Sequence, residues 1–323
     1  MSKHSIVCAG IDTGKHKLDV ALDGFPEQLQ VDNAPIGHAR LSAWLKQHGV
    51  KRVGIEASGG YEQQVVASLR QDGFVVVVFQ PAQVRAYARF LLQRAKNDKI
   101  DARLIAACTA AIKKIHAPPD PRLAPFAARM TLIEQLTDQV AGCKAYRESC
   151  RDPHGQQFWK AEIVRYNGLL RTELKQLVAA IRDHRDLAER LELIKSVDGI
   201  GLKTAVAILV RMPEIGHLTR GQASALAGLA PFDDDSATHV GMRHIAGGRE
   251  RLRGSLYNAA LAAAFHWNPQ LIALYRRLTA AGKPHKVALI ACARKLLIFA
   301  NTVVERGTPW VSTVPPSTLS KAA

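Results

Sequence analysis

Apolar and polar positions in the first part of the chain follow the two-residue period of β-strands. The run "SIVCAGID" is rich in β-formers, "TGKH" is typical of a turn, and "KLDVAL" alternates between polar and apolar residues. Together these three pieces predict a β-hairpin. The segment "EQLQVDN" predicts a third strand, "RVGIEAS" a buried strand, and "VVVVF" a central strand.

Helical spacing of apolar residues occurs between and after these strands. Helices are predicted over "IGHARLSAWLKQH", over "YEQQVVASLRQDG" with Gly73 closing the helix, from Pro81 onward, and over 98–114. Strands and helices in this order predict an α/β layer with a mixed sheet.

A proline-rich segment, "HAPPDPRLAP" at 116–125, is the clearest boundary in the chain. From about 122 to 195 the pattern is helical and highly charged, which is typical of long paired helices, with a break at Pro153 and Gly155. Helical spacing continues to about 307, and the tail "VSTVPPSTLSKAA" is expected to be disordered. We therefore predict four segments: an α/β domain over 1–115, a helical linker over 116–195, a C-terminal domain over 196–310, and a tail over 311–323.

The charge balance indicates the class of partner. Lys and Arg total 44 against 28 Asp and Glu, which gives a formal net charge of +16 and a sequence pI of about 9.9 in a chain of 323 residues. Such a balance points to nucleic acid or another anionic surface as the partner.

No membrane association is expected from the sequence. The longest apolar stretch, "VALIACARKLLIFANTVV", is interrupted by Arg294 and Lys295, which predicts a buried helix rather than a membrane span. The first residues lack the hydrophobic region of a signal peptide. The five cysteines contain no CxxC pair, so free thiols are expected and neither zinc nor disulfides are implied. These features predict a cytoplasmic protein.

Four acidic residues stand out by their placement. Asp12 and Glu56 lie at the ends of predicted strands, and Asp98 and Asp101 lie three apart at the start of a predicted helix in "AKNDKIDARLIA". Taken singly, each is better explained by turn formation or helix capping. As an ordered set, with carboxylates at strand ends that can meet at one edge of an open sheet, they favour a site for two Mg²⁺ (or Mn²⁺) ions that act on a phosphodiester.

The pieces "GIDTGKHKLDVAL", "GIEASGGYE" and "KNDKIDARLIA" carry a resemblance to a known family. Residues 5–110 resemble the RuvC-like, ribonuclease-H-fold domain of the bacterial DEDD insertion-sequence transposases, in the order and spacing of that family. The resemblance implies an α/β ribonuclease-H-like N-terminal domain followed by a mainly α-helical region. It also implies that the family's four metal-binding, catalytic acids correspond to Asp12, Glu56, Asp98 and Asp101.

A second motif, "SVDGIGLKTAVAILV" at 196–210, is similar to a helix-hairpin-helix in the C-terminal domain. Gly199 and Gly201 permit a tight turn, and the next helix would present N–H groups to a nucleic-acid phosphate, helped by Lys203 and Thr204. An ordinary tight helix–helix turn remains the alternative. A dinucleotide-binding or P-loop motif is excluded because the third glycine is absent, no glycine directly precedes Lys203, and no strand leads in.

The segment 226–261 resembles the C-terminal transposase domain of the same family, in which a serine follows an "AGLAP" segment and precedes a basic stretch. The matching residue is Ser236, which the resemblance implies to be a nucleophile, although its surroundings contain no nucleophile elbow. Two departures are Ala237 in place of a usual glycine and the acidic run Asp233–Asp235, whose role stays open. The basic residues after it suit phosphate contacts or a solvated helix face: Arg243, His244, Arg249, Arg251 and Arg253.

These observations predict a DNA transposase-recombinase. The resemblance implies a homo-oligomer, dimer or tetramer, that binds DNA at element ends and targets and is guided by a structured RNA from the element. One alternative is a metal-dependent, Holliday-junction-type nuclease in which the four carboxylates do all the chemistry and Ser236 is idle. Another is a non-catalytic nucleic-acid-binding protein.

Overall fold

The computed structural model describes residues 6–92, 98–113, 115, 120–232, 235–236, 239–240 and 244–312, with only the backbone at 98–100, 235–236 and 239–240. The chain divides into two compact units, Met1–Ala117 and Pro118–Ala323. The four-segment division made from the sequence stays a prediction.

The first unit is a five-stranded sheet with four helices. Its elements are β1 (Cys8–Thr13), β2 (Lys17–Leu22), β3 (Gln28–Asp32), α1 (Pro35–Gln47), β4 (Arg52–Glu56), α2 (Gln63–Gln71), β5 (Val75–Phe79), α3 (Pro81–Phe90) and α4 (Asp98–Ala111). The strand order is β3-β2-β1-β4-β5; β1, β2 and β3 pair antiparallel, whereas β4 is parallel to β1 and β5 to β4. The predicted hairpin and mixed sheet are confirmed, and the arrangement is compatible with a ribonuclease-H-like fold.

The two faces of this sheet differ in what covers them. On one face, Ile11, Leu18 and Ile55 form a core with Leu41 of α1 and Val65 of α2. Successive strand residues point to opposite faces, so the residues between these apolar positions point to the other face. That second face is covered by α4, which packs on β1, β2 and β4.

The second unit is mainly helical. Its elements are α5 (Leu123–Ser149), α6 (Pro153–Arg182), α7 (Arg185–Lys195), α8 (Leu202–Arg211), α9 (Arg220–Leu226), β6 (Pro231–Phe232), β7 (Asp235–Ser236), β8 (His239–Val240), β9 (His244–Ile245), α10 (Glu250–Ala262), a π-helical turn (Ala263–Trp267), α11 (Pro269–Ala280) and α12 (His285–Arg306). The predicted break between two long paired helices is confirmed: Pro153 is the first residue of α6, and the N-cap Asp152 accepts a 2.7 Å hydrogen bond from Gly155 N.

The core of the second unit forms around α8 and α12. Every residue from Thr204 to Val210 is buried, and α12 contributes buried side chains along most of its length. Among the described helices, α12 is long and apolar enough to cross a membrane by length and composition alone, but more than half of its apolar window is buried inside the unit. The buried helix predicted for this segment is confirmed. It ends at Gly307, whose φ of +65° is the left-handed cap that glycine favours.

The five cysteines are free, as predicted. Cys8, Cys108, Cys143 and Cys292 are buried. Burial raises the pKa of the Cys292 thiol to about 11, so this thiol behaves as a packing group rather than as a reactive one.

The segment 231–245 differs from the sequence prediction of continuous helical spacing. The described residues of this segment (231–232, 235–236, 239–240 and 244–245) form four strands of two residues each, with β6 paired to β9 and β7 paired to β8 in antiparallel fashion. Strands this short contain no measurable period, so a pattern of apolar residues cannot reveal them. Of the predicted tail, 311–312 are described without helix or strand, and 313–323 lie outside the described residues.

Candidate active site

Asp12 and Glu56 lie side by side at the ends of two parallel strands. The printed register pairs Ile11 of β1 with Ile55 of β4, and the two acids are the next residue on each strand. Adjacent strands are about 4.8 Å apart, so the two carboxyl groups start from neighbouring backbone positions. Both residues are half-buried. The structure therefore brings together the two strand acids identified in the sequence.

Two glycines bring α4 onto the same face. Gly10 and Gly54 lie two residues before the two acids, so they point to the same side of the sheet. A Cβ atom at Gly10 would overlap the carbonyl oxygen of Ala102 and the amide of Ala106, and one at Gly54 would overlap Thr109 Oγ1. The backbone of α4 thus lies against the sheet at closer range than any larger residue would allow.

The direction of α4 follows from one arginine. Arg52, the first residue of β4, donates hydrogen bonds from Nη1 to the carbonyl oxygens of Thr109 at 3.3 Å and Ile112 at 3.1 Å. The C-terminal end of α4 therefore lies at the beginning of β4, and the helix runs antiparallel to β4. Its N-terminus, with Asp98 and Asp101, is consequently directed toward the strand ends that carry the other two acids.

Three of the four candidate metal ligands have side chains that the structure describes. Asp12, Glu56 and Asp101 each have an interaction partner, and the side chain of Asp98 lies outside the described residues. Within the described part of the chain, no group of three or more His, Cys, Asp or Glu side chains could hold a metal ion. Carboxylate oxygens are the donors that Mg²⁺ prefers, so the residue types fit such an ion.

Ser236 lies in the second unit among the short paired strands β6 to β9, which are called the ribbon below. It belongs to β7 and pairs with His239 of β8, while β6 and β9 pair Phe232 with His244. Only the backbone of Ser236 is described. Asp233, Asp234 and Arg243, also singled out in the sequence, lie outside the described residues, as does the side chain of Asp235.

The base of the ribbon is held by a contact between two glycine segments. A Cβ at Gly228 would overlap the carbonyl oxygen of Gly247, and one at Gly248 would overlap the backbone of Gly228. Arg253 Nη1 donates a 2.6 Å hydrogen bond to that Gly247 oxygen, and Arg249 N donates one of 2.9 Å to Leu226 O. The "AGLAP" segment and the basic, glycine-containing stretch therefore meet where the ribbon begins and ends.

The predicted phosphate-binding arginines have partners within the protein. Arg249 forms two hydrogen bonds with the Glu214 carboxylate, at 2.7 and 2.9 Å. Arg251 lies 3.6 Å from Glu134 and 3.5 Å from Asp138. Together with the Arg253 contact, these interactions give three of the predicted residues a structural role, and their part in nucleic-acid binding stays a prediction.

The turn before α8 is shaped by packing. Gly199 has a φ of +94°, and a Cβ there would overlap Ala263 of the π-helical turn. Gly201 is the exposed N-cap of α8, with open space around it. Thr204 is buried in α8.

Lys203 is half-buried and donates a 3.1 Å hydrogen bond from Nζ to Thr137 Oγ1 of α5. Burial lowers the pKa of Lys203, while the nearby Glu134 and Asp138 oppose that shift. The lysine is thus directed toward α5 in this structure, which is what an ordinary helix–helix contact requires. The helix-hairpin-helix interpretation of this motif stays a prediction.

Two family models match the chain. One model, for DEDD transposases of the IS110 type, matches residues 9–143. The other, for the transposase IS116/IS110/IS902 family, matches residues 191–276. The two matches together cover more than half of the chain. The protein belongs to the IS110 family of transposases. It is therefore a DNA transposase-recombinase, and its family indicates dependence on a divalent metal.

Individual relatives agree with this assignment. The transposase is 25% identical over 319 residues to pilin gene-inverting proteins of Moraxella bovis and Moraxella lacunata, covering 93% of this chain and 96% of each relative. It is 29% identical over 125 residues to an insertion element IS110 protein of 43.6 kDa from Streptomyces coelicolor, covering 38% of this chain and 31% of that relative. All four candidate acids lie inside the first family match, and Ser236 lies inside the second.

One acid near the candidate site was not identified from the sequence. Asp19 of β2 is the antiparallel partner of Asp12 and points to the α4 face of the sheet. It is only 7% exposed, accepts a 2.6 Å hydrogen bond from Gln30 Nε2, and lies 3.2 Å from Lys17 Nζ. An acid at the inward position of an alternating strand is the signal that could have revealed it.

A second missed residue, Glu62, organises the loop that follows the Glu56 strand. Its Oε2 accepts hydrogen bonds from Ser58 N, Ser58 Oγ and Gly60 N at 2.9 to 3.1 Å. Burial raises the pKa of the Glu62 carboxyl, but these hydrogen bonds outweigh burial and hold the pKa below its usual value. The loop beside Glu56 is therefore anchored by an ionised side chain.

Proposed function

We propose that this transposase cleaves and exchanges DNA strands with a metal site formed by Asp12, Glu56, Asp98 and Asp101 and with Ser236 as the nucleophile. The observation that carries the first half of the proposal is the antiparallel direction of α4. It directs the helix start with two acids toward the strand ends with the other two. The second half rests on the position of Ser236 within the matched C-terminal family segment.

The four carboxylates would hold Mg²⁺ or Mn²⁺, which would supply charge stabilisation at the reacting phosphate. The helix N-terminus adds partial positive charge near Asp98 and Asp101. Glu62 holds the loop after Glu56, and Asp19 lies on the strand beside Asp12. Both residues would help to orient the donors.

The proposed covalent step conserves bonds. The Oγ–phosphorus bond to Ser236 forms as the bond between phosphorus and the leaving DNA oxygen breaks. The serine loses one proton and the leaving oxygen gains one. Because a phosphodiester is retained throughout, strand exchange needs no ATP, which agrees with the missing P-loop. A serine hydroxyl is a weak nucleophile at neutral pH, so its activation would depend on the metal site.

The test is covalent capture. Purified protein is incubated with element-end DNA and its co-purified RNA, trimmed with nuclease, and analysed by mass spectrometry. Ser236→Ala is expected to retain DNA binding and to lose both the adduct and recombination, whereas the matched control Ser255→Ala in α10 retains them. A nucleotide on another residue, or recombination that survives Ser236→Ala, favours instead a nuclease in which the carboxylates do all the chemistry.

We further propose that a structured RNA from the element sets site choice and that the active form is a dimer or tetramer. The net charge of +16 supports a large anionic partner. Protein freed of RNA by nuclease is expected to bind DNA without site preference and to regain that preference when its own RNA is restored. Site choice that is unchanged after verified RNA removal contradicts this part of the proposal.

A further inference from the structure

A groove lies beside the Ser236 ribbon in the second unit. Its volume is about 740 Å³, which is within the usual range of ligand sites. Its lining comes from α9, β6, β9, α10, α11 and α12. The apolar part of this lining, called the apolar floor below, includes Leu229, Ile245, Leu274, Ile290 and Ile298.

Four cationic side chains also line the groove: Arg220, Lys286, Arg294 and Lys295. Among the residues that the structure describes, no carboxylate lines the groove and none of the four cations forms a salt bridge. They differ in this respect from Arg249 and Arg251, which are paired with acids. Because no acid among the described residues pairs with them, their positive charge favours an anionic ligand.

One of these cations is held in place by the protein. Arg294 Nε donates a 3.1 Å hydrogen bond to Ser224 Oγ, and that hydroxyl donates a 2.7 Å hydrogen bond to the carbonyl oxygen of Arg220. Ser224 is fully buried. These two hydrogen bonds link Arg294 to the backbone of Arg220, so part of the cationic lining of the groove is preorganised before any ligand binds.

The groove also contains two rings. Tyr257 of α10 and His244 of β9 both line it. A π-face on which a base can stack, an apolar floor and cations for phosphates are the combination by which proteins bind unstacked nucleotides of single strands. The four cations favour an anionic occupant, and the two rings beside apolar side chains favour nucleic acid over an acidic protein segment.

The position of the groove indicates which strand it binds. Pro231, His244 and Ile245 line it and form the paired strands at the base of the ribbon, and Ser236 follows Phe232 by four residues. The Cα atoms of Phe232 and Ser236 are therefore within about 14 Å of each other. We infer that this groove binds an unstacked nucleotide of the DNA strand, close to the phosphate that Ser236 attacks. The inference rests on the proposed role of Ser236.

The first experiment measures binding of a short single-stranded oligodeoxynucleotide by fluorescence anisotropy. All variants are made in Ser236→Ala protein, so failure of the groove and failure of the nucleophile are read separately. Arg220→Gln/Lys286→Gln is expected to weaken binding and to lower the salt slope by about 0.7 for each lost phosphate contact. The matched control, Arg276→Gln/Arg277→Gln, removes the same charge from exposed positions of α11 and is expected to change neither.

The second experiment tests stacking and location. Tyr257→Ala is expected to weaken binding of the single strand by roughly tenfold, while Tyr257→Phe keeps the ring and retains binding. Photo-cross-linking with an oligodeoxynucleotide that contains 5-iodouracil is expected to place the adduct on Tyr257 or His244.

Three results would overturn the inference. Arg220→Gln/Lys286→Gln and the control Arg276→Gln/Arg277→Gln could weaken binding equally. The loss would then reflect only the lower net charge of the protein and not contacts in the groove. An oligoribonucleotide of the same sequence could bind the groove in preference to DNA. The groove variants could instead change the oligomeric state without DNA, which would make the groove an interface between copies of the chain.

Discussion

Arg52 at the start of β4 and Ile112 just beyond α4 are joined by a 3.1 Å hydrogen bond that determines which way the helix crosses the sheet. The guanidinium donates to carbonyl oxygens that have no partner within the helix, and its charge complements the negative end of the helix dipole. Arg52, which is not one of the proposed metal ligands, thus determines the direction of the helix that carries Asp98 and Asp101.

Arg52→Leu is expected to destabilise the first unit by roughly 1–3 kcal/mol, because two partly buried carbonyl oxygens lose their donor. It should also lower strand cleavage more than the loss of stability explains, since the C-terminal end of α4 is no longer held and the whole helix, with its N-terminal acids, can shift on the sheet. Urea unfolding and cleavage assays measure the two effects. Arg40→Leu, at an exposed position of α1, serves as control, and an equal loss in both variants would remove the special role of Arg52.

Asp101→Asn is expected to abolish strand cleavage while the fold remains intact. The amide keeps the size of the side chain but removes the charge that a divalent cation requires. Cleavage across a Mg²⁺ titration and circular dichroism test this, with Asp72→Asn as a control at an exposed acid. Full activity of the Asp101→Asn protein in EDTA would contradict the metal assignment.

Lys203→Ala tests the helix-hairpin-helix prediction. If the motif grips the nucleic-acid backbone, binding should weaken alike on unrelated sequences and the salt slope should fall by roughly one. Lys203→Met keeps the packed stem of the side chain, so it separates loss of charge from loss of packing. Unchanged binding in both variants, with lower stability in Lys203→Ala alone, would make the motif a structural turn.

The first unit should lose stability in acid partly through Glu62. Its folded pKa lies below its unfolded value, so the unfolded chain binds more protons and stability rises with pH through that window. The stabilisation that ionised Glu62 contributes is fully present above the ordinary glutamate pKa of the unfolded chain. It is lost as the pH falls through the lowered pKa of Glu62 in the folded protein. Glu62→Gln should flatten the acid dependence of urea unfolding, whereas the exposed Glu27→Gln should not. Identical pH profiles for the two variants would refute the assignment.

The elements of the first unit could be predicted because each carries a local signal. "KLDVAL" alternates, Gly73 closes a helix with a φ of +89°, and Pro81 begins one. The pairing partners of these elements are not local. The neighbourhood of Asp12 and Glu56 needs the register of β1 and β4, and the burial of Asp19 needs that of β1 and β2.

In the second unit the limits are different. The acids that form salt bridges with Arg249 and Arg251 lie 35 or more residues away in sequence. A basic stretch that looks unpaired in the sequence is therefore largely paired within the folded protein. The ribbon that carries Ser236 has strands of two residues, too short for any periodicity. The resemblance of its flanks to a known domain was the only signal for that serine.

The glycine pair under α4 has a consequence for sequence change in this unit. Gly10 and Gly54 touch no reactant, yet a single methyl group at Gly10 would have to push the helix backbone off the sheet. Such a change would separate the acids of the helix from those of the strands without altering any of them. A copy of the element that lost the proposed metal site in this way would keep every acidic residue in place, so an intact set of acids would not by itself identify a working enzyme.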